Sequence, residues 1–135
     1  SSAASDVYKR QLDDLTGTEA EPGDPLVGEF IWNRDSNRFG WDSYLGDHPR
    51  VAPHVPSRVQ SVAGLPSTWM YTVSMDLFRD ENIDYARRLL AAGVATELVV
   101  LPGACHAFQV VPGTKLSNRY TEDHLRALGR ALKVE

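Results

Sequence analysis

The stretch from residue 68 to residue 102 constrains the fold more than any other part of the sequence. "TWMYTV" at 68–73 is rich in β-branched and aromatic residues, which predicts a short buried strand. "TELVVLP" at 96–102 predicts a second strand, and a helical pattern lies between the two. A strand, a helix and a strand in this order form a βαβ unit with parallel strands and a right-handed crossover. The predicted fold class is therefore α/β, with parallel strands and crossover helices.

The helix between the two strands is predicted from "DENIDYARRLLAAG" at 80–93. Asp80 is the expected N-cap and Gly93 the expected residue just past the C-terminus. Glu81 and Asp84 fall in the first turn, where the helix dipole favours anions, and we expect this acidic face to be solvated. The helical spacing predicts one apolar stripe, formed by Ile83, Ala86, Leu89 and Leu90.

Two further helices are predicted on either side of this unit. The first lies between Ser36 as N-cap and Gly46 as the C-terminal stop, with Trp41, Tyr44 and Leu45 at helical spacing. The second begins at Thr121 as N-cap. It is expected to bury the leucines of "TEDHLRALGRAL", which are Leu125, Leu128 and Leu132.

Composition and charge exclude several classes of protein. The chain has 135 residues, 42% of them hydrophobic, which is enough for one core and too little for two. The net charge of −4 argues against a nucleic-acid partner, because it leaves no basic face to neutralise phosphates. No apolar run approaches the roughly 20 residues of a membrane span. The single cysteine is typical of a reducing compartment, so we expect a cytoplasmic location.

The amino-terminal residues differ in character from the rest. Residues 1–11, "SSAASDVYKRQ", lack apolar periodicity and an initiator Met, and we interpret them as a non-native leader. Residues 12–26 are acidic and interrupted by Gly and Pro, which predicts an irregular segment. Residues 27–135 carry the patterns of one folded unit. We expect that unit to be the C-terminal part of a single domain that is truncated on its N-terminal side.

Two polar residues follow the predicted strands directly. Asp76 comes just after the first strand and His106, in "LPGACHAF", just after the second. The carboxyl ends of parallel strands meet at one edge of the sheet, where ligands bind in open α/β sheets. Neighbouring strands lie roughly 4.8 Å apart, so the two side chains are expected within hydrogen-bond reach. A carboxylate that orients an imidazole is the supporting pair of a nucleophilic triad.

The stretch "MYTVSMDLFRDENIDYARRLLAAGVATELVVLPGACHAF" resembles the C-terminal portion of an α/β-hydrolase of the hormone-sensitive-lipase-like esterase family. That family carries an acid in a D-[PL]-[LF]-x-D-E motif and a histidine in a G-x-x-H-[GA]-F motif. Asp76 matches the acid, Asp80 the second, helix-starting Asp, and His106 the base. The resemblance runs from about residue 27 to the end. It implies an α/β-hydrolase fold, a carboxylic ester hydrolase with a Ser-His-Asp triad, a small ester substrate and no cofactor.

The sequence departs from the family pattern at several points. Ala107 stands where the family usually has Gly, a change that is tolerated if the backbone there has a negative φ. Leu77 replaces the commonest Pro, and Ser74 replaces a frequent Gly. No G-x-S-x-G elbow and no H-G-G-G loop occurs in the sequence. Because the family order is Ser, acid, His, we expect both parts to be missing upstream and the chain to be inactive as it stands.

Other interpretations remain open at this stage. The chain could be a non-catalytic α/β binding or interaction module with hydrolase-like loops, or an unrelated flavodoxin-like module. Asp76 alone could be a loop-capping acid, and His106 a polar residue at a strand end. Cys105 is interpreted as a small packed residue rather than a nucleophile. A metal site is not expected, because no ligand-like spacing relates the remaining histidines, which are His48, His54 and His124, to His106 or Cys105.

Overall fold

A parallel sheet with helices packed around it forms the centre of the computed structural model, which describes residues 5–7 and 11–133. The strands are β1 (Ser5–Val7), β2 (Thr68–Val73) and β3 (Thr96–Leu101), in the order β1-β2-β3. The helices are α1 (Arg34–Leu45), α2 (Arg79–Ala91) and α3 (Lys115–Leu132). Two 3₁₀ turns span Pro56–Arg58 and Phe108–Val110.

The predicted βαβ unit is confirmed. β2 and β3 pair in parallel along their full lengths, from Thr68 opposite Thr96 to Val73 opposite Leu101. β1 pairs in parallel with the first half of β2, from Ser5 opposite Thr68 onward. Three residues of the segment that we interpreted as a leader therefore contribute to the sheet.

Helix α2 packs on β2 through a narrower stripe than the sequence predicted. Ala86 and Leu89 are buried in a cluster with Met70 of β2, whereas two expected members of the stripe are exposed, Ile83 and Leu90. The prediction of Asp80 as N-cap is wrong, because the helix begins at Arg79 and Phe78 occupies the N-cap position, two residues earlier than predicted. The Asp80 carboxylate instead accepts hydrogen bonds from the adjacent Arg79.

Helix α1 begins before the position predicted for it. Asn33 is the N-cap, and its side-chain oxygen accepts a hydrogen bond from the backbone N–H of Ser36 at 2.9 Å. Ser36 as N-cap is therefore wrong, since this residue donates the capped N–H rather than accepting it. Trp41 and Leu45 are buried as expected, but Tyr44 is exposed.

Helix α3 is longer than predicted and buries a different face. It starts after Thr114, whose side-chain oxygen accepts from the N–H of Ser117, so Thr121 lies inside the helix and is not its N-cap. The N-terminal half of the helix packs on the sheet through Tyr120, which joins a cluster with Tyr71. The expected burial of three leucines is wrong, because that half makes the main contact and leaves Leu125, Leu128 and Leu132 exposed.

Among the described residues, no helix is both long enough and apolar enough to cross a bilayer.

Candidate active site

The loops that follow β2 and β3 are joined by backbone hydrogen bonds. The N–H of Ser74 donates to the carbonyl of Leu101 at 3.0 Å, and the N–H of Met75 donates to the carbonyl of Ala104 at 3.0 Å. The N–H of Gly103 donates to the Ser74 hydroxyl at 2.9 Å. Ser74, where the family often has Gly, thus uses its side chain to hold the second loop. These contacts extend the strand pairing to the residues that flank Asp76 and His106.

Asp76 and His106 meet at this edge of the sheet, and the predicted hydrogen-bond reach is confirmed. Nδ1 of His106 lies 2.9 Å from Oδ2 of Asp76. The other carboxylate oxygen accepts from the backbone N–H of Phe78 at 3.0 Å, so Asp76 also caps its own loop. The two side chains are only 11% and 14% exposed, His106 first. An imidazole that donates from Nδ1 to a carboxylate leaves Nε2 free to accept a proton.

Two aromatic rings border the imidazole. The ring of Phe78 lies edge-on to His106 with centroids 5.6 Å apart. The ring of Trp32 lies 5.9 Å from His106 and is tilted by 37°. No sequence motif singles out Trp32. The stretch 30–46 is rich in aromatic residues, but no spacing relates Trp32 to the two motifs.

Ala107 adopts a backbone conformation that differs from the one expected. Its φ is +59° and its ψ is 18°, which is left-handed. The expectation of a negative φ is wrong, because Ala107 takes this left-handed conformation as the N-cap of the 3₁₀ turn at Phe108–Val110. A methyl group in this region costs roughly 1–2 kcal/mol relative to the right-handed conformation. The glycine usual in the family would avoid that cost.

Leu77, which replaces the commonest Pro of the motif, fills a site shaped by two glycines. It is 3% exposed and clusters with Val27 and Phe78. A Cβ added at Gly28 would lie 2.8 Å from a Leu77 methyl carbon, and one added at Gly17 would lie 3.1 Å from it. The bulk of Leu77 is therefore accommodated by the absence of side chains at these two positions.

Glu81 is shielded rather than solvated, contrary to the expectation for the acidic face of α2. Its carboxylate accepts hydrogen bonds from the N–H of Leu12 at 2.9 Å and from the hydroxyl of Thr16. Burial raises the pKa of Glu81 from 4.5 to about 8, although the two hydrogen bonds act in the opposite direction. No sequence spacing pointed to this pairing, because its partners lie more than sixty residues away.

The remaining candidates do not join the pair in a recognisable site. Cys105 is a partly buried free thiol. His48 stacks on His54 with ring centroids 5.0 Å apart, and His124 stacks on Trp69. Among residues 11–133, no serine hydroxyl is hydrogen-bonded to the imidazole of His106. No group of three or more His, Cys, Asp or Glu side chains among the same residues could hold a metal ion.

The chain is similar to known proteins in both sequence and structure. The profile of a family described as the alpha/beta hydrolase fold matches residues 11–110. The crystal structure of esterase LipW from Mycobacterium marinum is similar to this chain with 35% identity and a TM-score of 0.77. A bacterial heroin esterase is similar with the same identity and TM-score. The search of curated proteins found no match.

The two solved esterases are considerably longer than this chain. Each is matched over 90% of this chain, and the match spans 38% of the LipW chain and 40% of the heroin esterase chain. The predicted resemblance to hormone-sensitive-lipase-like esterases is confirmed, and the flavodoxin-like alternative is wrong. The chain belongs to the α/β-hydrolase fold family, among the hormone-sensitive-lipase-like esterases.

Proposed function

We propose that this chain carries the acid and the base of the Ser-His-Asp triad of a carboxylic ester hydrolase, Asp76 and His106. The observation that supports this assignment is the 2.9 Å contact between Nδ1 and Oδ2. The other oxygen of the Asp76 carboxylate accepts a hydrogen bond from the backbone N–H of Phe78. A carboxylate that served only to cap the loop would have no need of an imidazole on its second oxygen.

The proposed mechanism follows from the free nitrogen of the imidazole. Nε2 of His106 takes the proton of the serine hydroxyl as its oxygen attacks the ester carbonyl carbon. The protonated Nε2 then gives that proton to the departing alcohol, and an acyl-enzyme remains. His106 next deprotonates a water molecule, which releases the acid product. Asp76 keeps Nδ1 protonated throughout and stabilises the imidazolium that forms.

The nucleophile and the oxyanion donors are proposed to come from residues outside these 135. The sequence contains no G-x-S-x-G, and the solved esterases that it matches are more than twice as long. We therefore propose that the 135-residue chain does not turn over esters by itself. The proposed substrates of the complete enzyme are small esters. A cytoplasmic location and a leader at residues 1–11 also stay proposals.

A two-part esterase assay tests this proposal. The 135-residue chain should hydrolyse p-nitrophenyl acetate no faster than its His106→Ala variant. Joined to the part of LipW that precedes the matched region, it should gain activity. In the joined enzyme, His106→Ala should then reduce kcat/KM on the order of a thousandfold or more, and Asp76→Asn should be comparably severe because an amide favours the wrong tautomer. His54→Ala is the matched control and should change little.

Two outcomes would contradict the proposal. A folded joined enzyme without esterase activity would favour the non-catalytic binding or interaction module. Rapid turnover by the 135-residue chain that Cys105→Ser abolishes would instead identify a cysteine nucleophile.

A further inference from the structure

The imidazole of His106 is confined by a ring from a distant part of the chain. The acid loop joins β2 to α2 at residues 74–78 and carries Asp76. Phe78, two residues after Asp76, is buried and belongs to this loop. Trp32 comes from the segment before α1, and its indole contacts both rings, 5.9 Å from His106 and 6.5 Å from Phe78 between centroids. The proposed mechanism assigns no role to the Trp32 ring.

The turn that carries Trp32 is strained. The N–H of Trp32 donates to the carbonyl of Phe30 at 2.8 Å, which closes a three-residue turn around Ile31. Ile31 has a φ of +67°, and a β-branched residue with positive φ is a genuine outlier. Such strain persists only where the surroundings fix it. The Ile31 side chain is 75% exposed, so its own burial does not compensate the strain.

Contacts on both sides of this turn fix Trp32 relative to the acid loop. Before it, the N–H of Gly28 donates to the carbonyl of Met75, which directly precedes Asp76, at 3.2 Å. After it, the Arg34 guanidinium donates to three backbone carbonyls of the preceding segment, those of Pro22, Asp24 and Val27. The strained turn is therefore held against the same loop whose carboxylate binds His106.

We propose that Trp32 is a positioning residue for the Asp76–His106 pair. Its indole restricts rotation of the imidazole and keeps water from the Nδ1–Oδ2 hydrogen bond, which is stronger where water is excluded. A fixed ring keeps Nε2 aimed at one point, which triad chemistry requires. The inference rests on the proposed function only in taking His106 as a catalytic base and Asp76 as the acid that orients it.

The test measures the reactivity of each histidine in the 135-residue chain, without any ester turnover. The chain is treated with a low concentration of diethyl pyrocarbonate, and modification of its four histidines is quantified by peptide mass spectrometry. Trp32→Ala should raise the rate at His106 about fivefold or more relative to His54. Trp69→Ala is the matched control, because Trp69 stacks on His124 at 5.6 Å. It should raise the rate at His124 and leave His106 unchanged.

Two further variants keep the test decisive if Trp32→Ala unfolds the chain, which would raise all four rates together. Trp32→Phe retains an aromatic ring and should keep the slow rate at His106, whereas Trp32→Leu should raise it. The downfield Nδ1 proton resonance of His106 should persist in Trp32→Phe and be lost in Trp32→Leu. Equal rates and an unchanged resonance in the parent chain and both variants would overturn the proposal. A failure of the esterase assay would overturn the proposed function and leave this result standing.

Discussion

Replacing Glu81 with glutamine should remove a pH dependence from the stability of this chain. The carboxyl group binds the N–H of Leu12 and the hydroxyl of Thr16, and burial raises its pKa from 4.5 to about 8. The folded chain therefore favours the protonated carboxyl, while the unfolded chain releases the proton near the ordinary pKa. Between these two values the unfolded state binds fewer protons than the folded state.

The sign and size of the effect follow from this difference in proton binding. The contribution of Glu81 to the unfolding free energy is fully present below a pH of about 4.5. It is lost as the pH rises toward and through the folded-state pKa of about 8. One pKa unit corresponds to about 1.36 kcal/mol, so the whole interval is worth at most about 5 kcal/mol. At pH 7 roughly 3 kcal/mol of this loss has already occurred.

Glutamine preserves the contacts of Glu81 without an ionisable group. Its amide oxygen can accept from the N–H of Leu12, and its NH₂ group can donate to the oxygen of Thr16. Glu81→Gln should therefore exceed the parent chain in unfolding free energy by about 3 kcal/mol at pH 7. The advantage should shrink toward zero as the pH falls to about 4.5.

Urea denaturation followed by tryptophan fluorescence between pH 4.5 and 8.5 measures this effect. The informative quantity is the difference in unfolding free energy between variant and parent, because contributions from groups other than Glu81 cancel in that difference. Asp84→Asn is the matched control, since this acid lies on the same helix and is exposed. It should give a flat difference. Parallel curves for Glu81→Gln and the parent would refute the argument, because they would mean that Glu81 titrates alike in both states.

Two further predictions use the same denaturation assay. Ala107→Gly should stabilise the chain by about 0.5–1 kcal/mol, because glycine adopts the left-handed φ of +59° without strain. Ala92→Gly is the control, since φ there is −85°, and it should destabilise the chain by a similar amount. A loss of stability in Ala107→Gly would contradict the strain at this residue. Asn33→Ala should cost about 1 kcal/mol through loss of the α1 cap, and Ser36→Ala should stay within about 0.5 kcal/mol. The reverse order would restore Ser36 as the N-cap.

The relation between Asp76 and His106 could be predicted because it depends on strand order alone. Two parallel neighbouring strands deliver their C-terminal loops to one edge, and the paired register of Val73 and Leu101 carries both loops to the same height. The hydrophobic patterns of β2 and β3 locate these strands to within one residue. No long-range contact had to be known in advance.

Helix starts were predicted less well because several residues compete for each cap. Ser36 and Asn33 are both good N-caps, and only the geometry of the preceding turn selects Asn33. In α3 the N-cap is Thr114 and not Thr121, because packing of Tyr120 on the sheet extends the helix toward its N-terminus. In α3, tertiary packing outweighed local preference.

Residues 11–34 make contacts around the candidate site that the sequence pattern does not predict. They have little periodicity, yet they contact helix α2, the loop that carries Asp76 and the imidazole of His106. Leu12 and Thr16 bind Glu81, and Gly28 binds the carbonyl just before Asp76. Trp32 then closes over His106. Because each contact joins this irregular segment to a residue far away in sequence, no spacing rule can reveal it. The two motifs identify the proposed acid and base, while this segment without periodicity contacts Glu81, the carbonyl before Asp76 and the ring of His106.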